Sequence, residues 1–254
     1  MRGEGRAALI TYLAAGHPTA ADSIAALRRA AAAGADLVEV GIPFSDPLAD
    51  GPTIQRATQT ALARGMTVTG ALAVVRAARL DVPVVLMTYL NPVRAYGVER
   101  FLADAHAAGA SGLIVTDLPA GVEPALEAAV AASPLALIPL VAPTTGPERL
   151  TRAVAGARGF VYLISRLGVT GVRDAVPPDL AAAVARVRAA TDLPVAAGFG
   201  IGTPAQVRAA AGCADGVVVG SALVEALDTG GLDALARLVG ALAAALRTPA
   251  GAAR

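Results

Sequence analysis

The sequence contains no lysine, because all 21 of its basic residues are arginines. A Schiff base to a carbonyl substrate or to pyridoxal phosphate needs a lysine amine, so enzymes that use a lysine Schiff base are excluded. One cysteine (Cys213) and two histidines (His17 and His106) are too few soft or imidazole ligands for a zinc site. A single thiol cannot form an internal disulfide, which indicates a reducing compartment.

Aromatic residues are also scarce, at 3%, and the 21 basic residues nearly balance 20 acidic ones. The chain therefore offers neither the basic surface nor the stacking platform that nucleic acids require. No apolar run reaches the ~18 residues of a membrane span. The basic and then apolar start resembles a signal peptide only faintly, since the apolar run is one strand long and His17-Pro18 follows. We expect a cytoplasmic protein that binds neither nucleic acid nor membrane.

What the chain does contain is apolar residues, at 55%, with a mean hydropathy of +0.60. Disorder is excluded by this composition. The length of 254 residues is close to the ~250 of one closed α/β barrel. We predict one domain over residues 1–254, with a barrel from about residue 8 to 246 and a frayed carboxyl-terminal tail.

A recurring phrase indicates the architecture: AAGADLVEV (32–40), AAGASGLIV (107–115) and AAGCADGVVV (210–219) each end a helix at a glycine before a short apolar run. Such a glycine can adopt the left-handed cap conformation, after which the chain enters a buried parallel strand. Eight strands are predicted, at 9–14, 36–40, 82–87, 112–116, 135–141, 159–164, 194–198 and 216–220. Helices are predicted between them, at 20–33, 53–63, 69–79, 98–108, 122–132, 147–155, 178–190, 204–211, 221–227 and 233–246. Eight consecutive βα units favour a (β/α)8 TIM barrel, whose chemistry lies at the carboxyl ends of the strands.

Glu39 is the first candidate catalytic residue, because it lies inside a strand that should be covered on both faces. A carboxylate is rarely buried without a partner or a function. The alternative is an ion pair with an arginine from a neighbouring strand, but no predicted strand contains an arginine. Burial would raise the pKa of Glu39 toward the range of a general acid or base.

The loop after Glu39, at residues 41–52, contains three prolines and two glycines, which favour a preformed shape. Its charges are Asp46 and Asp50. Each could form a local turn or cap the following helix. We favour a local role or a partner contact for Asp46, and a functional role for Asp50, which shares the barrel end with Glu39.

Glycine-rich turns follow strands seven and eight, at 198–202 and at Gly220-Ser221. Backbone N–H groups at helix starts bind anions, and in barrels this pair of loops is a frequent phosphate site. The alternative is that these glycines only form tight turns. A further turn at 166–171 could add donors or act as a lid.

Four of the eight aromatic residues fall at strand ends, which suggests a flat apolar pocket: Tyr12, Tyr89, Tyr162 and Phe199. Asp117 and Asn91 also follow strands, and loop capping explains them equally well. His17, His106 and Cys213 receive no role.

Five motifs resemble the tryptophan synthase α chain family: EVGIPFSDPLADGPTIQ (39–55), LMTYLNP (86–92), YLISRLGVTG (162–171), GFGI (198–201) and GSALV (220–224). The first is highly specific. The resemblance implies a (β/α)8 barrel that cleaves indole-3-glycerol phosphate to indole and glyceraldehyde 3-phosphate, by a retro-aldol step without metal or covalent lysine. It also implies that pyridoxal phosphate belongs to a partner β chain, on which the α chain docks in an α2β2 assembly and which receives the indole.

The resemblance implies roles for individual residues as well. Glu39 matches the family's acid–base glutamate, and Asp50 the aspartate that accepts the indole N–H bond and stabilises the cationic indolenine. Thr170 matches a residue of a lid. The remaining matches surround the indole (Tyr12, Tyr89, Tyr162 and Phe199) or form the phosphate cradle (Gly171, Gly200, Gly220 and Ser221).

Two features depart from the family pattern. About eight residues precede the first predicted strand, where the family usually has a further helix, and Arg94 replaces an apolar or aromatic residue near the β-facing surface. Neither touches the catalytic residues. Two other functions stay open at this point: a free-standing indole-3-glycerol phosphate lyase, and a catalytically idle barrel that only activates a β chain. The presence of both Glu39 and Asp50 disfavours the idle barrel.

Overall fold

A computed structural model describes residues 5–119, 121–164, 178–198 and 200–247. Its strands are β1 (Ala8–Ala14), β2 (Leu37–Gly41), β3 (Val84–Thr88), β4 (Ala110–Val115), β5 (Ala136–Leu137), β6 (Leu140–Val141), β7 (Val161–Ile164), β8 (Val195–Gly198) and β9 (Gly216–Val219). Its helices are α1 (Ala20–Ala32), α2 (Pro52–Ala63), α3 (Val68–Ala78), α4 (Leu90–Tyr96), α5 (Val98–Ala108), α6 (Pro124–Ala132), α7 (Pro147–Val154), α8 (Leu180–Arg188), α9 (Pro204–Ala211) and α10 (Ser221–Arg247).

The strands form one parallel sheet in the order β5-β4-β3-β2-β1-β9-β8-β7-β6. Its two edge strands are consecutive pieces of the predicted strand 135–141. The Ile138 N–H donates to Leu113 O on one side (2.9 Å), and Pro139 O accepts from the Tyr162 N–H on the other (3.0 Å). These bonds close the sheet into the expected (β/α)8 barrel. The ladder is interrupted at Pro139 because proline has no N–H to donate.

Strand alternation divides the core into two parts. Residues such as Leu9, Val38 and Leu86 point outward and pack beneath the helices in the larger cluster. Those of opposite parity, including Ile10, Leu37, Val85, Ile114 and Tyr162, fill the barrel interior. Most strand residues are therefore buried on both faces of the sheet, which explains why the strands contain few polar residues. The polar exceptions on the inner face mark the functional end.

The structure corrects several details of the sequence prediction. Helix α4 was not predicted, because Asn91-Pro92 and Gly97 make its seven residues look like a loop. The predicted strand 135–141 is broken into two-residue pieces. Gly109 caps its helix in the left-handed conformation (φ 103°), but Gly212 does not (φ −64°). The other boundaries differ by a few residues at each end.

Among the described helices, α10 alone is by itself long and apolar enough to span a membrane. Its backbone is non-helical at Gly231 (φ 65°, ψ −162°), so it consists of two helices joined at a kink. It packs against α1, β1 and α9. These contacts are those of an outer helix of the barrel.

Candidate functional site

Glu39 lies near the carboxyl end of β2, with its side chain in the barrel interior. It is paired in register with Tyr12 of β1 and Val85 of β3. The residue is fully buried, and among the described residues neither carboxyl oxygen has a hydrogen-bond partner. Burial raises the pKa of Glu39 to about 8, because the charged form loses its water. An arginine partner, the alternative interpretation of this residue, is not found in the described part of the chain.

Asp50 ends the loop that follows β2 and lies just before the first turn of α2. Its backbone is fixed on both sides: its N–H donates to Pro47 O (3.2 Å), and its carbonyl accepts from Gln55 Nε2 (2.8 Å). Burial raises the pKa of Asp50 to about 6, although a hydrogen bond from Tyr89 acts in the opposite direction. Asp50 is therefore mostly ionised at neutral pH, whereas Glu39 is mostly protonated.

Tyr89 connects the end of β3 to the loop after β2. Its hydroxyl accepts from the Ala49 N–H (3.1 Å) and hydrogen-bonds the Asp50 carboxyl group. The ring of Phe44 packs beside it, with the centroids 5.3 Å apart. Burial and the Asp50 charge raise the pKa of Tyr89, so its hydroxyl keeps its proton and can donate.

Tyr12 and Tyr162 line the same end of the barrel interior, and both are buried. Each phenol leans across a glycine on the next strand. A Cβ on Gly41 would lie 2.1 Å from the Tyr12 hydroxyl, and a Cβ on Gly198 would lie 2.2 Å from the Tyr162 hydroxyl. The two glycines therefore create the space that the rings occupy. Burial, together with the negative charges of Glu39 and Asp50, raises the pKa of both tyrosines.

Sequence reasoning missed this function of Gly41 and Gly198. The signal was present for Gly41, because it lies two residues after Glu39 and so faces the same side of the sheet. For Gly198 the sequence predicts only a place in a phosphate-binding turn. Its other role could not be recognised without the register that places it beside Ile164 of β7.

The two predicted phosphate turns differ in their available donors. At the start of α9 the N–H groups of Gly202 and Thr203 both donate to Gln206 Oε1 (2.9 and 3.0 Å), as part of a capping box. At the start of α10, no side chain among the described residues accepts a hydrogen bond from the Ser221 N–H. The first N–H groups of a helix also lack partners within the helix. The Ser221 N–H is therefore available to an anion, whereas the Thr203 N–H already donates to Gln206.

Gly200 and Gly220 are also placed by the structure. Gly200 has a left-handed backbone (φ 83°), as its turn requires. A Cβ on Gly220 would lie 3.3 Å from the Tyr12 ring, so this glycine also admits the ring. Thr170, Gly171 and Phe199, together with the predicted lid at 166–171, lie outside the described residues.

Four other charged or titratable residues form hydrogen bonds or ion pairs in the structure: Asp46, Asp117, His17 and Arg94. Ser45 Oγ donates to Asp46 (2.5 Å), and Asp117 Oδ1 accepts from the Leu90 N–H (2.7 Å), both as turn or cap interactions. His17 is buried and hydrogen-bonds Asp228 (2.7 Å), a contact that sequence reasoning did not anticipate. Arg94 forms an ion pair with Glu123 (2.5 Å).

A (β/α)8 barrel with two carboxyl groups and three tyrosines at the carboxyl ends of its strands is typical of a barrel enzyme whose substrate has an apolar part. The comparison with known families is more specific. The family described as tryptophan synthase alpha chain matches residues 1–246. The chain belongs to this family.

Individual relatives agree with the family assignment. The tryptophan synthase alpha chain of Carboxydothermus hydrogenoformans is 50% identical over 229 residues, covering 89% of this chain and 86% of the relative. That of Gluconacetobacter diazotrophicus is 52% identical over 231 residues, covering 90% and 84%. A solved tryptophan synthase structure from Mycobacterium tuberculosis superposes with a TM-score of 0.91 at 47% identity, covering 97% and 95%. The alpha subunit from Legionella pneumophila superposes with a TM-score of 0.88 at 34% identity, covering 96% and 94%.

Proposed function

We propose that the chain cleaves indole-3-glycerol phosphate to indole and glyceraldehyde 3-phosphate, as the α subunit of tryptophan synthase. The observation that carries the proposed mechanism is the buried Glu39 carboxyl group, which has no partner among the described residues. Burial disfavours the charged form of this group and raises its pKa to about 8, so it can hold and transfer a proton near neutral pH.

In the proposed reaction, protonated Glu39 delivers its proton to C3 of the indole ring. The ring becomes a cationic indolenine, which the ionised Asp50 stabilises while accepting the indole N–H bond. Glu39, now ionised, takes the proton of the hydroxyl on the carbon attached to C3. The oxygen lone pair forms the aldehyde, the carbon–carbon bond breaks, and its electrons restore the neutral indole. Glu39 ends the cycle protonated, so proton and charge balance.

The chemistry needs a pair of carboxyl groups in different protonation states, and burial to different extents supports this assignment. Proton transfer by a positioned side chain accelerates a reaction by roughly 10²- to 10⁴-fold. Acid–base catalysis without a Schiff base agrees with a chain that has no lysine. No metal ion takes part in this scheme.

The proposed substrate pocket has an apolar and an anionic part. We assign the indole to the space beside Tyr12, Tyr89 and Tyr162, together with Phe199. The phosphate is assigned to the N–H groups of Gly220 and Ser221, with Gly200 and Gly171 nearby in the family pattern. Thr170 is proposed to close over the site from the lid.

Family membership also supports a β chain as partner, with pyridoxal phosphate bound there and not in this chain. The β chain would receive the indole directly. The relatives described above are named tryptophan synthase alpha chains, which favours neither a free-standing lyase nor an idle barrel for this chain. We expect the purified chain to release indole slowly, and a tryptophan synthase β chain to accelerate that release strongly. Fast turnover that a β chain leaves unchanged would instead identify a free-standing lyase.

Glu39→Gln tests the catalytic assignment, because it removes the transferable proton and keeps the shape of the side chain. The variant should fold and bind indole-3-glycerol phosphate, and release no measurable indole. Asp46→Asn, assayed without a β chain because Asp46 is a candidate partner contact, is a matched control: it neutralises an exposed carboxyl group on the loop that follows Glu39. Substantial turnover by Glu39→Gln would remove Glu39 from its role.

A further inference from the structure

Tyr89 depends on its backbone position for its contact with Asp50. It is the last residue before α4, with an extended backbone (φ −114°, ψ 162°). Its hydroxyl must reach the Ala49 N–H and the Asp50 carboxyl group on the loop after β2 at the same time. A small rotation of the backbone at residue 89 would move this hydroxyl, because it lies at the far end of a rigid ring.

Two consecutive residues after β4 hold the backbone on both sides of Tyr89. Thr116 donates to the carbonyl of Thr88 twice, from its N–H (2.8 Å) and from its Oγ1 (2.6 Å). Asp117 Oδ1 accepts the N–H of Leu90 at 2.7 Å. The residue before Tyr89 and the residue after it are therefore both fixed to the same exposed turn.

We propose that Asp117 is a positioning residue for the reaction: by holding the Leu90 N–H, it fixes Tyr89 so that the tyrosine hydroxyl points to Asp50. This inference rests on the proposed function, in which Asp50 stabilises the indolenine cation. Asp117 does not touch the substrate in this proposal and acts only through Tyr89. The charged groups that act on Tyr89 are Asp50 and Asp117 themselves.

The proposal is testable because one variant of Asp117 removes only its charge and another also removes its hydrogen bond. Tyr89 lowers the pKa of Asp50 through its hydrogen bond, so a displaced Tyr89 raises that pKa. Removing the Asp117 charge alone should leave the Asp50 pKa unchanged, because the groups that shift this pKa do not include Asp117. Asp117→Asn removes the charge and keeps the acceptor oxygen, whereas Asp117→Ala removes both.

The experiment measures the titration of Asp50 by carbon NMR of its carboxyl group in the full-length chain, and indole release with and without a β chain. Asp117→Ala should raise the Asp50 pKa and lower kcat about tenfold with a smaller change in KM, as expected for a displaced hydrogen bond to a charged group. Asp117→Asn should restore both. In a Tyr89→Phe background, Asp117→Ala should cause no further rise of the Asp50 pKa.

Two further variants separate positioning from general loss of stability. Leu90→Pro removes the same N–H at the first position of a helix, where proline is well tolerated, and should reproduce Asp117→Ala. Thr67→Ala removes a comparable cap from α3, where Thr67 Oγ1 accepts the Gly70 N–H (3.1 Å), and should leave the Asp50 titration and kcat unchanged.

Equal Asp50 titrations in Asp117→Ala and Asp117→Asn would overturn the proposal, as would a full effect of Asp117→Ala in the Tyr89→Phe background. The NMR titration needs no turnover. A wild-type chain that released no indole would therefore refute the proposed function while the positioning of Tyr89 could still be measured.

Discussion

Replacing Glu39 by glutamine should change how the stability of the chain depends on pH. In the unfolded chain this carboxyl group titrates near its ordinary pKa of 4.5, whereas in the folded barrel burial raises its pKa to about 8. Between these values the folded state holds a proton that unfolding releases. The folded state binds more protons, so the free energy of unfolding falls as pH rises through this window.

The size of this effect follows from the two pKa values. Between the two pKa values, each pH unit lowers the free energy of unfolding by about 1.4 kcal/mol. The burial of Glu39 therefore lowers it by about 3 kcal/mol at pH 7 and by about 5 kcal/mol above pH 9. That is a large fraction of the 5 to 15 kcal/mol by which a typical domain is stable. The full value applies because the Glu39 side chain is buried and has no screening by solvent.

Urea unfolding of the wild type and of Glu39→Gln at pH 5, 6, 7 and 8, followed by circular dichroism, measures the effect. The stability of Glu39→Gln relative to wild type should increase by about 1 kcal/mol per pH unit over this range, because pH 5 and pH 8 lie close to the two pKa values. The difference between the two proteins is more informative than either curve, because Asp50 and every other group titrate in both. Asp46→Asn controls for the loss of one carboxyl group. Parallel curves for wild type and Glu39→Gln would refute the burial argument, since they would mean that Glu39 titrates alike in both states.

Three further predictions concern the same end of the barrel. Gly41→Ala should lower the free energy of unfolding by about 1 to 3 kcal/mol, because the added methyl group would overpack against the Tyr12 hydroxyl. In urea unfolding, adding Tyr12→Phe should restore part of this stability, and additive losses would contradict the steric explanation. Ser221→Asp should raise KM for the phosphorylated substrate with little change in kcat, because it adds a like charge, while Ser221→Ala should change KM much less; an unchanged KM in Ser221→Asp would discredit this phosphate site. The specificity constant kcat/KM should fall below about pH 6, where Asp50 becomes protonated, and above about pH 8, where Glu39 loses its proton. A flat profile from pH 5 to 9 would contradict the roles of both residues.

Strand alternation made the barrel and the position of Glu39 predictable from the sequence. A carboxyl group inside an apolar run must face either the helices or the interior, and parity with Leu37 and Gly41 assigns it to the interior. The break at Pro139 was also within reach, because proline cannot donate within a ladder. Helix α4 was not, since its seven residues are bounded by the same proline and glycine signals that mark a loop.

Contacts between distant segments could not be predicted, because they depend on register and loop shape. Nothing in the sequence near Tyr89 indicates that its hydroxyl would hydrogen-bond Asp50, which lies on another βα unit. The same holds for the bond between Asp117 and Leu90. Local patterns identified which residues lie at the carboxyl ends of the strands, and only the folded chain shows which of them meet.

The two carboxyl groups explain how this end of the barrel can both donate and accept a proton near neutral pH. Glu39 is fully buried and receives no hydrogen bond from the described residues, so desolvation acts on it without opposition. Asp50 lies on the loop above, less deeply buried, and the hydrogen bond from Tyr89 favours its charged form. One group therefore stays protonated at pH 7 and the other stays ionised. The hydrogen bond from Tyr89 opposes the effect of desolvation on Asp50, so loss of Tyr89 should raise the pKa of Asp50 toward that of Glu39. The pH range in which Asp50 is ionised while Glu39 is protonated would then become narrower, and the proposed reaction needs both of these states at once.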